Sequence, residues 1–216
     1  MVVAAWWNAK ILRCDLEQGT MVRLVGLESD AQFGDPCWNG DGNDAVDSCL
    51  DQPASVAFDT AGNLFITDQS NLRIRKVTAV NGEITTATTS GPRSSIETVV
   101  GTGARGTSGL GDYNGDGLPG TQTNLSEPDA SLASPSNKLL VRPNGEIYFP
   151  DSLNNVVRKL GLDGIVTIVA GGGGGIDPAE QRPRGGHSGD GGPATEAMLL
   201  HPTDVAMDSE GNLYVA

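Results

Sequence analysis

Residues 53–77 read PASVAFDTAGNLFITDQSNLRIRKV, and the rest of the chain is a set of variations on this stretch. The apolar run Val56-Ala57-Phe58 meets a turn at Asp59–Asn63, and a second run, Leu64-Phe65-Ile66, follows. After Asp68-Gln69-Ser70-Asn71 comes a third, mixed run, Leu72 to Val77. Short β-branched and aromatic runs separated by Gly, Asn and Asp predict strand, turn, strand, turn, strand: most of an antiparallel meander.

The pattern recurs. Residues 202–216 (PTDVAMDSEGNLYVA) follow its first half almost position by position. Residues 139–151 (LLVRPNGEIYFPD) do so with one extra residue, and 152–160 (SLNNVVRKL) supply the second half. At the N-terminus, residues 2–8 (VVAAWWN) align with Phe65–Asn71, and Lys10–Arg13 stands where Arg73–Lys76 stands. Three Gly-Asp-Gly loops place aspartates at 41, 116 and 190, so the repeats are 75 and 74 residues long. A repeat of that length suits a four-stranded sheet plus a long loop, one propeller blade per repeat.

Composition agrees. Thirty glycines and twelve prolines in 216 residues, with little helical periodicity, predict an all-β fold rich in turns. A short helix, or only a turn, is expected near Ala194–Leu200. A formal charge of −13 disfavours nucleic acid and anionic membrane surfaces, which need Lys and Arg to bind. No apolar run approaches a membrane span, and the first residues lack the basic start of an export signal.

Residues 189–197 (GDGGPATEA), 201–208 (HPTDVAMD) and 211–216 (GNLYVA) resemble bacterial NHL-repeat proteins, as do Asp68–Asn71 and Arg73–Val77. The resemblance covers essentially residues 1–216 and implies a β-propeller, commonly six-bladed. The expectation is therefore three four-stranded blades, half of such a ring, with the chain starting and ending at the same phase of the repeat. Open strand edges then leave two readings: a fragment lacking flanking blades, or two copies paired head-to-tail into a closed homodimer. The function expected is non-enzymatic, a binding or assembly module with a protein or carbohydrate ligand on the loops. The alternative is a metal-dependent propeller lyase or hydrolase.

Several constellations bear on that choice. Asp112, Asn114 and Asp116 open like a calcium loop, but Thr123 stands where the bidentate Glu belongs. Because Asn-Gly-Asp-Gly recurs at 39–42, turn-forming is the simpler reading, with Ca2+ as the alternative and no cofactor required. Asp68 with Arg75, and Asp151 with Arg158, sit seven residues apart in equivalent places. They are expected to latch turns by ion pairing rather than to ring a ligand. In the first repeat Ala5 and Leu12 replace that pair, beside Trp6 and Trp7, which either pack internally or offer a platform for a sugar. The peptidyl-amidating lyase propeller, a relative by repeat type, holds zinc with three histidines; this chain has only His187 and His201. Cys37 and Cys49 flank a short loop and suit a disulfide, which favours an extracytoplasmic compartment. Cys14 is expected to be a buried thiol.

Overall fold

The computed structural model describes residues 1–28, 37–86, 91–127 and 137–216. Parts of the expected loop 27–52 and turn 79–95, and the expected start of the third repeat at Pro135, lie outside the described residues.

The chain folds into successive antiparallel sheets. The first holds β1 (Val2–Ala5), β2 (Lys10–Asp15) and β3 (Thr20–Val25). The second holds β4 (Pro53–Phe58), β5 (Leu64–Asp68), β6 (Arg73–Val77) and β7 (Ile96–Val100), in that order. The third adds β8 (Leu118–Pro119), from the preceding loop, to the meander β9 (Leu140–Val141), β10 (Ile147–Asp151), β11 (Val156–Leu160) and β12 (Ile165–Gly171). Its spatial order is β8-β12-β11-β10-β9. The last pair is β13 (Val205–Met207) and β14 (Leu213–Val215). Among the described residues strand numbers thus run from two to five per sheet, where the sequence suggested four throughout, and the sheets do not close into a ring.

Alternation of side chains across each sheet builds the core. Leu64 and Ile66 on β5 face the first sheet and pack with Ile11, Leu24 and Val25. Their neighbour Phe65 points the other way and packs with Ile147, Phe149 and Val166 of the third sheet. Val157 and Ala170 continue the stack onto Val205. Each meander is therefore apolar on both faces, so it is stable only between neighbours, as expected of stacked propeller blades.

One turn repeats three times. A 3-10 turn follows the second strand of the repeat at Trp6–Asn8, Gln69–Asn71 and Ser152–Asn154. A left-handed residue closes each: Ala9 (φ 51°), Leu72 (φ 53°) and Asn155 (φ 56°). The carbonyl of that residue is approached by a glycine at the end of β3, β7 or β12. A Cβ there would lie 2.5 Å from the Ala9 oxygen at Gly26, 2.2 Å from Leu72 at Gly101 and 2.6 Å from Asn155 at Gly171.

One local expectation is decided and another corrected. The stretch 194–200 forms only a 3-10 turn, Ala194–Glu196, because Ala197 turns to extended backbone (φ −72°, ψ 157°). Cys14 is half-exposed, because it pairs with the exposed Met21 at the outer end of the sheet, away from the core. The Cys37–Cys49 disulfide is present, with its Cα atoms 5.0 Å apart.

Candidate functional site

The loops converge on two equivalent ion-pair networks. Asp68 is fully buried and accepts hydrogen bonds from the Asp51 amide (2.8 Å), Asn71 Nδ2 (3.0 Å) and Arg75 Nη1 (3.3 Å). Asp151 repeats this with hydrogen bonds from the Ser126 amide (2.9 Å) and Asn154 Nδ2 (2.9 Å), and with an ion pair to Arg158, whose Nε lies 3.1 Å away. Burial pushes the Asp68 carboxyl up to about 6, against the pull of Arg75 and the donated hydrogen bonds. Burial raises Asp151 likewise.

Each arginine lies opposite a bulge in the neighbouring strand. The register shifts between Ile74 and Arg75, between Val157 and Arg158, and between Ile11 and Leu12 in the first repeat. The extra residue is Val99 on β7, Val169 on β12 and Leu24 on β3, a bulge in the neighbouring strand that leaves the ladder running. Arg75 reaches both Asp68 and the preceding loop, donating to the Gly40 carbonyl (3.1 Å) and Asp41 Oδ1 (2.9 Å). Arg158 reaches the Gly115 carbonyl (3.4 Å) in the same way. An aromatic ring covers each guanidinium: Trp38 lies 4.3 Å from Arg75 and 3.8 Å from Arg73, and Tyr113 lies 5.0 Å from Arg158. Such stacks add about 0.5–2 kcal/mol, more as water is excluded.

The residues considered for calcium are tied into loop closure. Asp112 Oδ1 accepts from Asn124 Nδ2, Asn114 Oδ1 from the Asn124 amide (2.8 Å), and Asp116 Oδ1 from the Ile168 amide (2.8 Å). Asn39 makes the matching bond to the Cys49 amide (2.9 Å) one repeat earlier. Among the described residues, no three of His, Cys, Asp and Glu gather closely enough to hold a metal ion. Trp6 and Trp7 sit side by side, ring centroids 5.0 Å apart and planes tilted by 58°. Trp7 is exposed, while the Trp6 indole N–H is buried without a partner.

Above the second network opens a cleft of about 720 Å³. Its walls are the loop around Ser108–Tyr113 and the turn Ala179–Arg182, with Leu153, Asn155 and His201 completing it. Arg182 is anchored by donating to Ser126 Oγ (3.1 Å) and the Leu153 carbonyl (3.0 Å). Asn155 spans the floor, donating to the Pro183 carbonyl (3.0 Å) and accepting from the His201 amide (3.2 Å). His187 is exposed on the next loop and does not line this cleft.

Sequence reasoning passed over several of these residues, although the repeat length marks them. Trp38, Tyr113 and His187 stand three residues before the Gly-Asp-Gly aspartates, and Gln52, Glu127 and His201 each precede a proline, at a spacing of 75 and 74 residues.

Sheets stacked face to face, each a meander joined to the next by a long loop, define an all-β, propeller-like protein. No protein-family model matches the chain, and no curated protein matches it. Among solved structures the chain is similar to an auxiliary nutrient binding protein from Bacteroides thetaiotaomicron VPI-5482, at 17% identity and a TM-score of 0.59. The match covers 99% of this chain and 42% of that one. An auxiliary nutrient binding protein from Bacteroides ovatus ATCC 8483 gives 19% identity and a TM-score of 0.58, with 99% and 42% covered. A protein of unknown function from Bacteroides thetaiotaomicron VPI-5482 gives 21% and 0.56, with 97% and 40% covered. These likenesses carry the fold alone, and the chain spans about two fifths of the length of these neighbours.

Proposed function

We propose that this chain is the wall of an NHL-type propeller that serves as a binding module. A polar, hydroxyl-rich ligand such as an oligosaccharide would seat in the cleft between Tyr113 and Arg182. The observation that carries this reading is the cleft itself: about 720 Å³, lined by Asp112, Tyr113, Asn155, Arg182 and His201 over a rigid latch. An aromatic face beside planar donors and acceptors is the chemistry that recognises sugar rings and their hydroxyls. The names of two structural neighbours, auxiliary nutrient binding proteins, support the same reading. The Cys37–Cys49 disulfide fits an oxidising, extracytoplasmic compartment. Isothermal titration with a panel of neutral oligosaccharides and short peptides tests the idea. We expect saturable binding of a sugar, weakened about tenfold or more by Tyr113→Ala, the scale of one lost anchor contact. No sugar binding, or binding indifferent to both Tyr113→Ala and His201→Ala, refutes it.

A further inference from the structure

A second, smaller cavity lies behind Leu110, on its other side from the cleft. It measures about 90 Å³ and is lined by Gln69, Ser70, Leu72, Arg105, Leu110 and Glu127. At roughly 30 Å³ per water it accommodates about three waters, or a two- to three-carbon polar molecule.

Glu127 is the anomaly in this wall. It is 4% exposed, and its Oε2 has no hydrogen-bond partner. The repeat supplies an internal control. One repeat earlier, Gln52 fills the same position and accepts a hydrogen bond from Ser70 Oγ (2.6 Å). Ser70 lies two residues beyond Asp68; two residues beyond Asp151 stands Leu153, which has no polar side-chain atom to offer Glu127. An acid therefore stands here with one oxygen, Oε2, that bonds nothing among the described residues. A buried polar atom without a partner costs free energy unless a ligand satisfies it.

Its surroundings select the ligand. Burial and the nearby Asp151 push the Glu127 carboxyl well above the usual carboxylate range, so the neutral acid, with one O–H to donate, is favoured. Arg105 shares the cavity and anchors itself by donating to the Ser70 carbonyl (2.7 Å). Among the described residues, the other charges near Glu127 have partners or counter-charges. Asp151 is paired with Arg158, Arg182 holds Ser126 beside it, and Asp51 lies within the field of Arg105. The cavity is thus rich in donors, which suits an acceptor bearing negative charge.

We propose that this cavity binds a small carboxylate, held by the Arg105 guanidinium and by a hydrogen bond donated by the Glu127 carboxylic acid. The site is separate from the oligosaccharide cleft, and either can stand without the other.

The test is titration of the full chain with 13C-labelled acetate, followed by NMR at pH 5.5, 7.0 and 8.5, with ammonium as the cationic control probe. Saturable acetate binding is expected, weakening about tenfold per pH unit once Glu127 ionises, because ionised Glu127 repels the anion. Glu127→Gln keeps a donor, cannot ionise and introduces the residue that Gln52 already places at the equivalent position one repeat earlier; it should bind acetate without that pH dependence. Arg105→Gln, at an exposed side chain, should weaken acetate about tenfold at every pH through the lost charge-assisted hydrogen bonds. Absence of saturable acetate binding overturns the proposal. So does ammonium binding that tightens with pH in place of acetate, or a Glu127→Gln variant with the wild-type pH slope.

Discussion

Lowering the pH from 7.5 to 4.5 should make this protein more stable, against the usual behaviour of ion-paired carboxylates. The reason lies in the latch. Asp68 in the folded protein titrates at about 6, above its ordinary 3.8, because burial opposes its charge more than Arg75 favours it. The folded state therefore holds the proton more tightly than the unfolded chain between those values. The stability this contributes is complete below the unfolded value and is lost as pH rises through about 6. The roughly two-unit gap corresponds to about 3 kcal/mol, of which about 2 kcal/mol falls between pH 4.5 and 7.5. Asp51, Asp151 and Glu127 shift in the same direction and add to the slope. Asp208, held down to about 2 by hydrogen bonds from Asn212 and Tyr214, shifts oppositely, as do Asp15, Glu146 and Asp177. Their contribution is present above their ordinary values and lost in stronger acid, so the maximum should fall near pH 4–5. Urea unfolding followed by tryptophan fluorescence across pH 4–8 measures this. Asp68→Asn, which cannot ionise, should remove about 2 kcal/mol of the difference between pH 4.5 and 7.5. A wild type more stable at pH 7.5 than at 4.5, or a variant with an unchanged slope, refutes the reasoning.

Other outcomes follow from single features. Reducing the Cys37–Cys49 disulfide should cost about 3 kcal/mol in a chemical melt, the value for closing so short a loop. Gly101→Ala should lower stability by more than about 2 kcal/mol, since its φ is +102° and the new Cβ would meet the Leu72 carbonyl at 2.2 Å. Trp38→Ala should cost about 1 kcal/mol and speed amide exchange at Gly40–Gly42, by uncovering Arg73 and Arg75. Light scattering over a dilution series tests self-pairing through the open sheet edges: a stable mass of two chains supports a paired ring, and a monomer at all concentrations removes it.

The strands were legible because each meander carries its own turn chemistry: Asp59–Asn63, Pro143–Gly145 and Asp208–Asn212 announce three hairpins in the chain. The pairing of Asp68 with Arg75 was legible as spacing, because it recurs at Asp151 and Arg158. What spacing did not convey was the bulge in β7 opposite Arg75, since a one-residue register shift leaves no mark in composition. Nor did it convey β8, whose two residues, Leu118 and Pro119, join the third sheet from a loop. Cys14 was misplaced because alternation alone does not say where along a strand the core ends. Glu127 was overlooked because an acid before a proline looks like ordinary loop polarity. Only its comparison with Gln52, and the exchange of Ser70 for Leu153, sets it apart.

The left-handed residue after each 3-10 turn is a small experiment already performed by the repeat. Asn155 tolerates that conformation, whereas Ala9 and Leu72 hold it under strain. Leu72 is retained for its packing, being 3% exposed within the core between the second and third sheets. Ala9 has little side chain to defend. Ala9→Asn or Ala9→Gly is therefore a natural first step for anyone engineering a hardier scaffold, with the template supplied by the molecule's own later repeat.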